Sequence, residues 1–128
     1  MDQISNFIIQ IKNAGAVGHD STTVPYSKIK HSIAQVLKKE GFIKDAGEKT
    51  EKGKKVLAVE LLSEGRATRI QGVERISKPS KRIYKKASEM RPVKNGYGAL
   101  IVSTSAGVMS GKEAKKMKLG GEALFSIW

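Results

Sequence analysis

The sequence predicts an α+β fold of two small domains, an N-terminal α-β-α-β-β domain over residues 1–64 and a C-terminal, mostly β domain with one short helix over residues 65–128. Three observations lead to this prediction. The 128 residues are 39% apolar, which is enough for a core but excludes a large multidomain enzyme. Helical and strand-like patterns alternate in the first half, whereas the second half holds mainly short β-prone segments. The composition shifts near residues 63–66, where we place the domain boundary.

The first predicted element is a helix that begins after Asp2 and ends at Gly15. Asp2 can accept hydrogen bonds from the first helical N–H groups, and Gly15 stands where a C′ residue with positive φ is expected. The apolar side chains between them follow the i, i+3, i+4, i+7 spacing of one helix face, namely Ile4, Phe7, Ile8 and Ile11.

A strand, a second helix and a hairpin complete the predicted first domain. Residues 22–26 are β-prone, and Ser27 is the expected N-cap of a helix that ends at Gly41. The side chains predicted to face inward from this helix are Ile29, Ile33, Val36 and Leu37. The hairpin consists of two strands and a polar, glycine-containing turn, predicted at residues 42–45, 55–62 and 46–54, respectively.

Short strands dominate the predicted second domain, at residues 68–77, 82–86, 99–104 and 122–128. Ser110 and Glu113 stand at capping-box spacing, which predicts a short helix over about residues 111–118.

The charge of the chain points to an anionic partner. Lys and Arg number 24 against 12 Asp and Glu, which gives a net charge of +12. Residues 1–64 hold 10 basic and 8 acidic residues, whereas residues 65–128 hold 14 and 4. An excess of this size is typical of nucleic-acid binding. The alternative is a solvated basic tail, but β-branched and aromatic residues within residues 65–94 favour an ordered surface.

Several function classes are excluded by the residue types present. The chain has no Cys, which removes disulfides, thiolate zinc sites and cysteine nucleophiles and fits a reducing compartment. His19 and His31 lack a metal-binding partner at i+3 or i+4. Gly107 and Gly111 are too close for a P-loop, and Glu113 replaces its Ser or Thr. We therefore predict no metal, no cofactor and no catalytic set.

No membrane partner is expected. The first 15 residues have no basic n-region and include several polar side chains, unlike a signal peptide. The longest apolar runs, such as residues 99–102, are far shorter than the ~20 residues of a membrane-spanning helix. The sequence thus predicts a soluble, cytoplasmic protein.

Ser103, Thr104 and Ser105 end an apolar strand and lead into Ala106 and Gly107. Short hydroxyl side chains can donate to phosphate and accept from a ribose 2′-OH, so they suit an RNA minor groove. A turn rich in Ser and Thr, with no ligand, explains the same residues equally well.

Two further groups combine cations with a tyrosine. One comprises Lys78, Pro79, Ser80, Lys81, Arg82 and Tyr84, which could contact phosphates and stack on a base or could protect an edge strand by charge. The other lies at a helix N-terminus, where either an anion or an ordinary cap is expected, and comprises Pro25, Tyr26, Ser27, Lys28 and Lys30.

These residues resemble the bacterial-type family of small-subunit ribosomal protein eight. The run GALIVSTSAGVMSGKEAKK at residues 98–116 is similar to the family signature nearly throughout, and residues 118–128 resemble its C-terminus. RISKP, VPYSK and KNA also match, at residues 75–79, 24–28 and 12–14. The departures are Ser80 where the family usually has Gly, Ala106 where it often has a basic residue, and Gln3-Ile4 where Pro is frequent.

The resemblance implies a non-enzymatic primary binder of the central domain of small-subunit ribosomal RNA that supports assembly of that subunit beside neighbouring ribosomal proteins. It also implies repression of its own operon through a messenger RNA that mimics the ribosomal site. By family correspondence the main contacts come from Ser103, Thr104 and Ser105. Supporting contacts correspond to Tyr26, Ser27, Lys28, Lys30, Lys78, Pro79, Lys81, Arg82, Tyr84, Gly121 and Glu122.

Two other function classes remain as alternatives. Residues 27–41 could form a DNA recognition helix, although no partner helix precedes them across a three- or four-residue turn. A basic nuclease is disfavoured because the sequence shows no acid/base or metal set.

Overall fold

The computed structural model describes residues 3–64 and 67–128 and confirms the α+β class. The chain divides into two compact units, Gln3–Gln71 and Gly72–Trp128. The predicted boundary at residues 63–66 includes Gly65 and Arg66, which lie outside the described residues, so its position stays a prediction.

The first unit packs two helices on one face of a three-stranded antiparallel sheet. Its main elements are α1 (Gln3–Ala16), β1 (Ser21–Pro25), α2 (Lys28–Lys39), β2 (Ile43–Glu51) and β3 (Lys54–Leu61), with sheet order β1-β3-β2. Two short strands, β4 (Ser63–Glu64) and β5 (Ala67–Thr68), pair with each other. Paired residues share a sheet face, and Val24, Leu57, Val59 and Ala46 are all buried on the face that the helices cover.

The end of α1 differs from the prediction. The helix includes Gly15 and ends at Ala16, and the positive φ belongs to Gly18, at 82°. The N–H of His19 donates to the carbonyl of Ala14 at 2.9 Å and closes this turn. Gly15 was the wrong choice because glycine permits a positive φ without requiring it. The predicted cap Asp2 lies outside the described residues.

Both ends of α2 are confirmed. The Ser27 hydroxyl accepts from the N–H of Lys30 at 3.2 Å, as an N-cap does. Gly41, with φ of 83°, follows the last turn. The inward side chains Ile33, Val36 and Leu37 are buried, and Ile29 is half-buried.

The predicted turn over residues 46–54 is wrong. Residues 46–51 continue β2, and only Lys52 and Gly53 connect it to β3, with φ of 50° and 76°. Two successive positive φ values are those of a type I′ hairpin turn. The strand was missed because residues 48–51 extend past the buried part of the sheet, so no apolar residue marks its face.

The second unit is built on an antiparallel sheet in the order β6-β10-β8-β9, with β7 also paired to β10. Its elements are β6 (Val73–Arg75), β7 (Tyr84–Lys85), 3-10 turns at Ala87–Glu89 and Lys94–Gly96, β8 (Ala99–Thr104), β9 (Gly107–Ser110), α3 (Gly111–Lys116) and β10 (Gly121–Ile127). Ser110 caps α3, as predicted. The core on the α3 side of the sheet contains Met90, Leu100, Val102, Met109, Ala114 and Ala123.

Several predicted bounds in this unit were wrong. Within residues 68–77 only Thr68 and β6 are in strands, and β7 is shorter than residues 82–86. Ile76, Ser77 and Ile83 bond to β10 at single points rather than along a ladder. The helix predicted to residue 118 ends at Lys116, and Lys118 has φ of 59°. β9 was not among the predicted strands.

Candidate nucleic-acid interface

Three of the predicted site residues form a row across neighbouring strands. Glu122 of β10 pairs with Tyr84 of β7 on one side and with Ser103 of β8 on the other. Directly paired residues in antiparallel strands project from the same face, so these three side chains form one cross-strand row. The row lies on the sheet face opposite the core cluster of Val102 and Ala123, because strand residues alternate between faces. Tyr84 is 69% exposed.

The Ser-Thr-Ser loop, residues 103–105, continues from this row into the β8–β9 turn. Ser105 is exposed, as is Ala106. The Thr104 hydroxyl donates to the carbonyl of Gly107 at 2.8 Å and accepts from the N–H of Ala106 at 3.1 Å. Its only proton is therefore used inside the turn. Thr104 fixes the loop, and Ser103 and Ser105 remain as the hydroxyls suited to an external partner.

Gly121 allows the strands to approach closely behind this loop. A Cβ placed on Gly121 would lie 2.2 Å from the carbonyl oxygen of Ser103 and 3.1 Å from Cγ2 of Thr104. No side chain fits there without moving backbone atoms. Gly121 thus has a packing role, which the residue's place in the predicted contact set did not reveal.

The Glu122 carboxylate is held by two donors. Ser77 donates to its Oε2 through the hydroxyl, and Arg82 donates to the same oxygen from Nη1 at 3.1 Å. The Glu122 side chain is 14% exposed. Burial raises the pKa of this carboxyl, but the hydrogen bonds from Ser77 and Arg82, with the charges of Arg82 and Arg75, outweigh it and leave the pKa below its usual value. Glu122 is thus an ionised anchor for Arg82.

The basic turn, residues 78–82, stands beside β10 and is exposed throughout. Lys78 and Lys81 exchange two backbone hydrogen bonds of 3.0 Å and close the turn around Pro79 and Ser80. Ser80 is not among the described residues with positive φ, so the turn does not need the glycine that the family usually has. This departure leaves Lys78, Lys81 and Arg82 on one short, ordered turn.

The remaining predicted contacts lie at the start of α2, in the first unit. Lys28 is exposed, but Lys30 is only 8% exposed, and its Nζ donates to the carbonyl of Pro25 at 3.1 Å. Lys30 therefore supports the helix start rather than presenting a free ammonium. Tyr26 is half-buried, and its hydroxyl lies 3.4 Å from Nδ1 of His31.

A lysine that the sequence analysis did not single out reaches this group from β3. Lys55 Nζ lies 4.8 Å from the centroid of the Tyr26 ring and 3.0 Å from Oε1 of Glu48. The hydrogen bond and charge of Glu48 raise the pKa of Lys55. Tyr26 and Lys55 form a cation–π pair. The sequence did not reveal this contact because it depends on the register in which β1 and β3 pair.

The structure therefore separates the predicted residues into two groups. The row, the loop and the basic turn come together in the second unit, whereas Tyr26, Ser27, Lys28 and Lys30 lie in the first. Ser77 was missed as a site residue, although its place in the RISKP motif was a signal.

Within residues 3–64 and 67–128, no cluster of three or more His, Cys, Asp or Glu could hold a metal ion. None of the helices in the described part of the chain is long and apolar enough to cross a membrane.

Comparison with known proteins identifies a family. The profile described as Ribosomal protein S8 matches residues 2–128. The "Small ribosomal subunit protein uS8" of Bdellovibrio bacteriovorus is 40% identical over 129 residues that cover 100% of both chains. Proteins of the same description from Pediococcus pentosaceus and Leuconostoc mesenteroides are 46% and 44% identical and cover 99% of this chain and 97% of their own. These matches confirm the expectation of a structural, non-enzymatic ribosomal protein, and the chain belongs to the ribosomal protein S8 family.

Proposed function

We propose that this protein is a primary binder of small-subunit ribosomal RNA that recognises an irregular helix of the central domain and thereby supports assembly of the subunit. The observation that carries the proposal is the meeting of the exposed Ser105 hydroxyl, the cross-strand row and the basic turn on one ordered part of the second unit. Membership in the S8 family supports the choice of RNA.

The two kinds of side chain have different roles in this proposal. Lys78, Lys81 and Arg82 neutralise phosphates, which adds affinity for any polyanion. Ser103 and Ser105 exchange hydrogen bonds with ribose 2′-OH groups, which DNA lacks. Tyr84, with its ring exposed, stacks on a base or ribose. Selectivity for structured RNA over DNA then comes from the hydroxyls and the ring.

The same interface suits a second RNA partner, whereas protein partners would use other surfaces. A messenger RNA that mimics the ribosomal site would occupy the same contacts, so repression of the protein's own operon follows from the same chemistry. Within the small ribosomal subunit in the cytoplasm, the parts of the surface outside this interface would meet neighbouring ribosomal proteins.

Binding measured over a range of salt concentrations tests the proposal. The full chain is titrated with a central-domain RNA helix, an unrelated RNA helix and a DNA duplex of equal length. The central-domain RNA should bind most tightly. Lys81→Ala should weaken binding to all three alike and lower the slope of log affinity against log salt by roughly 0.7 to 0.9, because one phosphate contact is lost. Ser105→Ala should cost about 1–3 kcal/mol with the central-domain RNA only and leave the slope unchanged.

Exposed residues of the same unit supply matched controls. Lys115→Ala removes an equal charge from α3, and Ser88→Ala removes a hydroxyl from the Ala87–Glu89 turn. Neither control should reproduce its counterpart's effect. The proposal fails if the DNA duplex binds as tightly as the central-domain RNA, or if Ser105→Ala leaves the ratio of their affinities unchanged. Footprinting on whole small-subunit ribosomal RNA then locates the bound helix.

A further inference from the structure

A buried serine links the basic turn to the sheet. Ser77 is 0% exposed. Its hydroxyl donates to Oε2 of Glu122 and accepts from the N–H of Ile83 at 3.1 Å. Its own N–H donates to the carbonyl of Ala123 at 3.1 Å. Ser77 is thus bonded to β10 and also to the residue at which the basic turn returns to the sheet.

Glu122 continues this connection outward to a cation. The carboxylate oxygen that accepts from Ser77 also accepts from Nη1 of Arg82. The Arg82 side chain is 55% exposed, so its guanidinium reaches from the buried carboxylate to the surface. The result is a continuous path of hydrogen bonds from a fully buried hydroxyl to a surface charge beside the cross-strand row.

We propose that Ser77 is a positioning residue for RNA recognition, which fixes the Glu122 carboxylate so that this group holds the Arg82 guanidinium in one orientation for a phosphate of structured RNA. This inference rests on the proposed function. Arginine has many side-chain rotamers, and ordering it only on binding lowers affinity. A guanidinium that is already oriented avoids that loss and presents its planar donors in a fixed direction.

A double-mutant cycle on the full chain separates positioning from general support of the fold. Affinity for the central-domain RNA helix is measured for wild type, Ser77→Ala, Arg82→Ala and the double variant at one salt concentration. Ser77→Ala should weaken binding about tenfold, the upper end of the loss expected when the Arg82 side chain must be ordered on binding instead of beforehand. In the Arg82→Ala background the same substitution should change affinity less than about twofold, because Ser77 acts through Arg82.

Glu122→Gln provides a second route through the same cycle if Ser77→Ala does not fold. The amide keeps the shape of the side chain and an oxygen that accepts from Ser77, but it lacks the charge that holds Arg82. Its weakening effect should also disappear in the Arg82→Ala background, where only the repulsion between the carboxylate and the RNA is removed. Ser88→Ala, which removes an exposed hydroxyl of the same unit, serves as the control and should not change affinity.

The outcomes distinguish the inference from the function on which it rests. If Ser77→Ala or Glu122→Gln weakens binding by the same factor with and without Arg82, the residues support the fold only, and the positioning role is refuted. If wild type binds the central-domain RNA selectively but Arg82→Ala has no effect, the inference is wrong and the proposed function stands. If wild type shows no selectivity for that RNA, both are wrong.

Discussion

Replacing Gly121 by alanine tests how the Ser-Thr-Ser loop is positioned. The added Cβ would lie 2.2 Å from the carbonyl oxygen of Ser103 and 2.9 Å from its carbonyl carbon. These are backbone atoms, so no side-chain rotation relieves the overlap, and β8 and β10 must separate locally. Overpacking of this kind costs about 1–3 kcal/mol. At about 4 °C per kcal/mol for a small domain, Tm should fall by roughly 4–12 °C.

The assay combines thermal unfolding with RNA titration, and Gly47→Ala is the matched control. Gly47 lies in β2 and has no atom within 4 Å of an added Cβ, so alanine there should alter stability by no more than about 1 kcal/mol. Affinity for the central-domain RNA should fall with Gly121→Ala because Ser103 and the loop move together. If Gly121→Ala melts with wild type and binds RNA equally well, the strands tolerate the Cβ and the packing argument is wrong.

Two further predictions concern single charged groups. Lys30→Ala should lower stability, because the ammonium bonded to the Pro25 carbonyl is lost, but it should not reduce the salt slope of RNA binding. Lys28→Ala should reduce the salt slope and leave stability unchanged. Urea unfolding measures the stability of each variant, and salt titration measures the slope. The pKa of Glu122 is lowered by folding, so its contribution to stability is present above the ordinary glutamate pKa of about 4.3 and is lost as pH falls through the folded value. Glu122→Gln should therefore lose less stability than wild type between pH 6 and pH 3, and equal losses would contradict this assignment.

Helices were predicted better than strands because their signals are local. The apolar spacing of α1 and the cap and stop of α2 depend on residues within a few positions of one another. The outer part of β2 is held instead by backbone bonds to β3, and no alternation of apolar residues reports such bonds. Gly53 marked the hairpin turn, but the preceding positive φ falls on Lys52, a residue type that seldom signals one.

The candidate site was predicted as a set of residues but not as an arrangement. Hydroxyls and cations can be found by type, whereas their use depends on tertiary contacts. Thr104 and Ser105 look alike in sequence. In the structure the Thr104 hydroxyl donates its proton within the turn, whereas Ser105 is exposed. Lys28 and Lys30 also look alike, and a carbonyl five residues back is bonded to Lys30.

Glu122, an acid bonded to the basic turn through Arg82, has a physical rationale in the proposed function. Without Glu122, Arg82 would lose an acceptor that orients it but keep its charge, and charge alone adds affinity for any polyanion, including the wrong RNA. When Arg82 is paired with Glu122, it contributes its full share of the RNA affinity only to a phosphate that approaches on the side away from the carboxylate. Burial of the carboxylate is unfavourable, but the hydrogen bonds from Ser77 and Arg82 compensate for it. Glu122 thus lowers the non-specific affinity for RNA and makes binding depend on where the phosphate lies. A protein that recognises one helix within a large RNA needs this dependence.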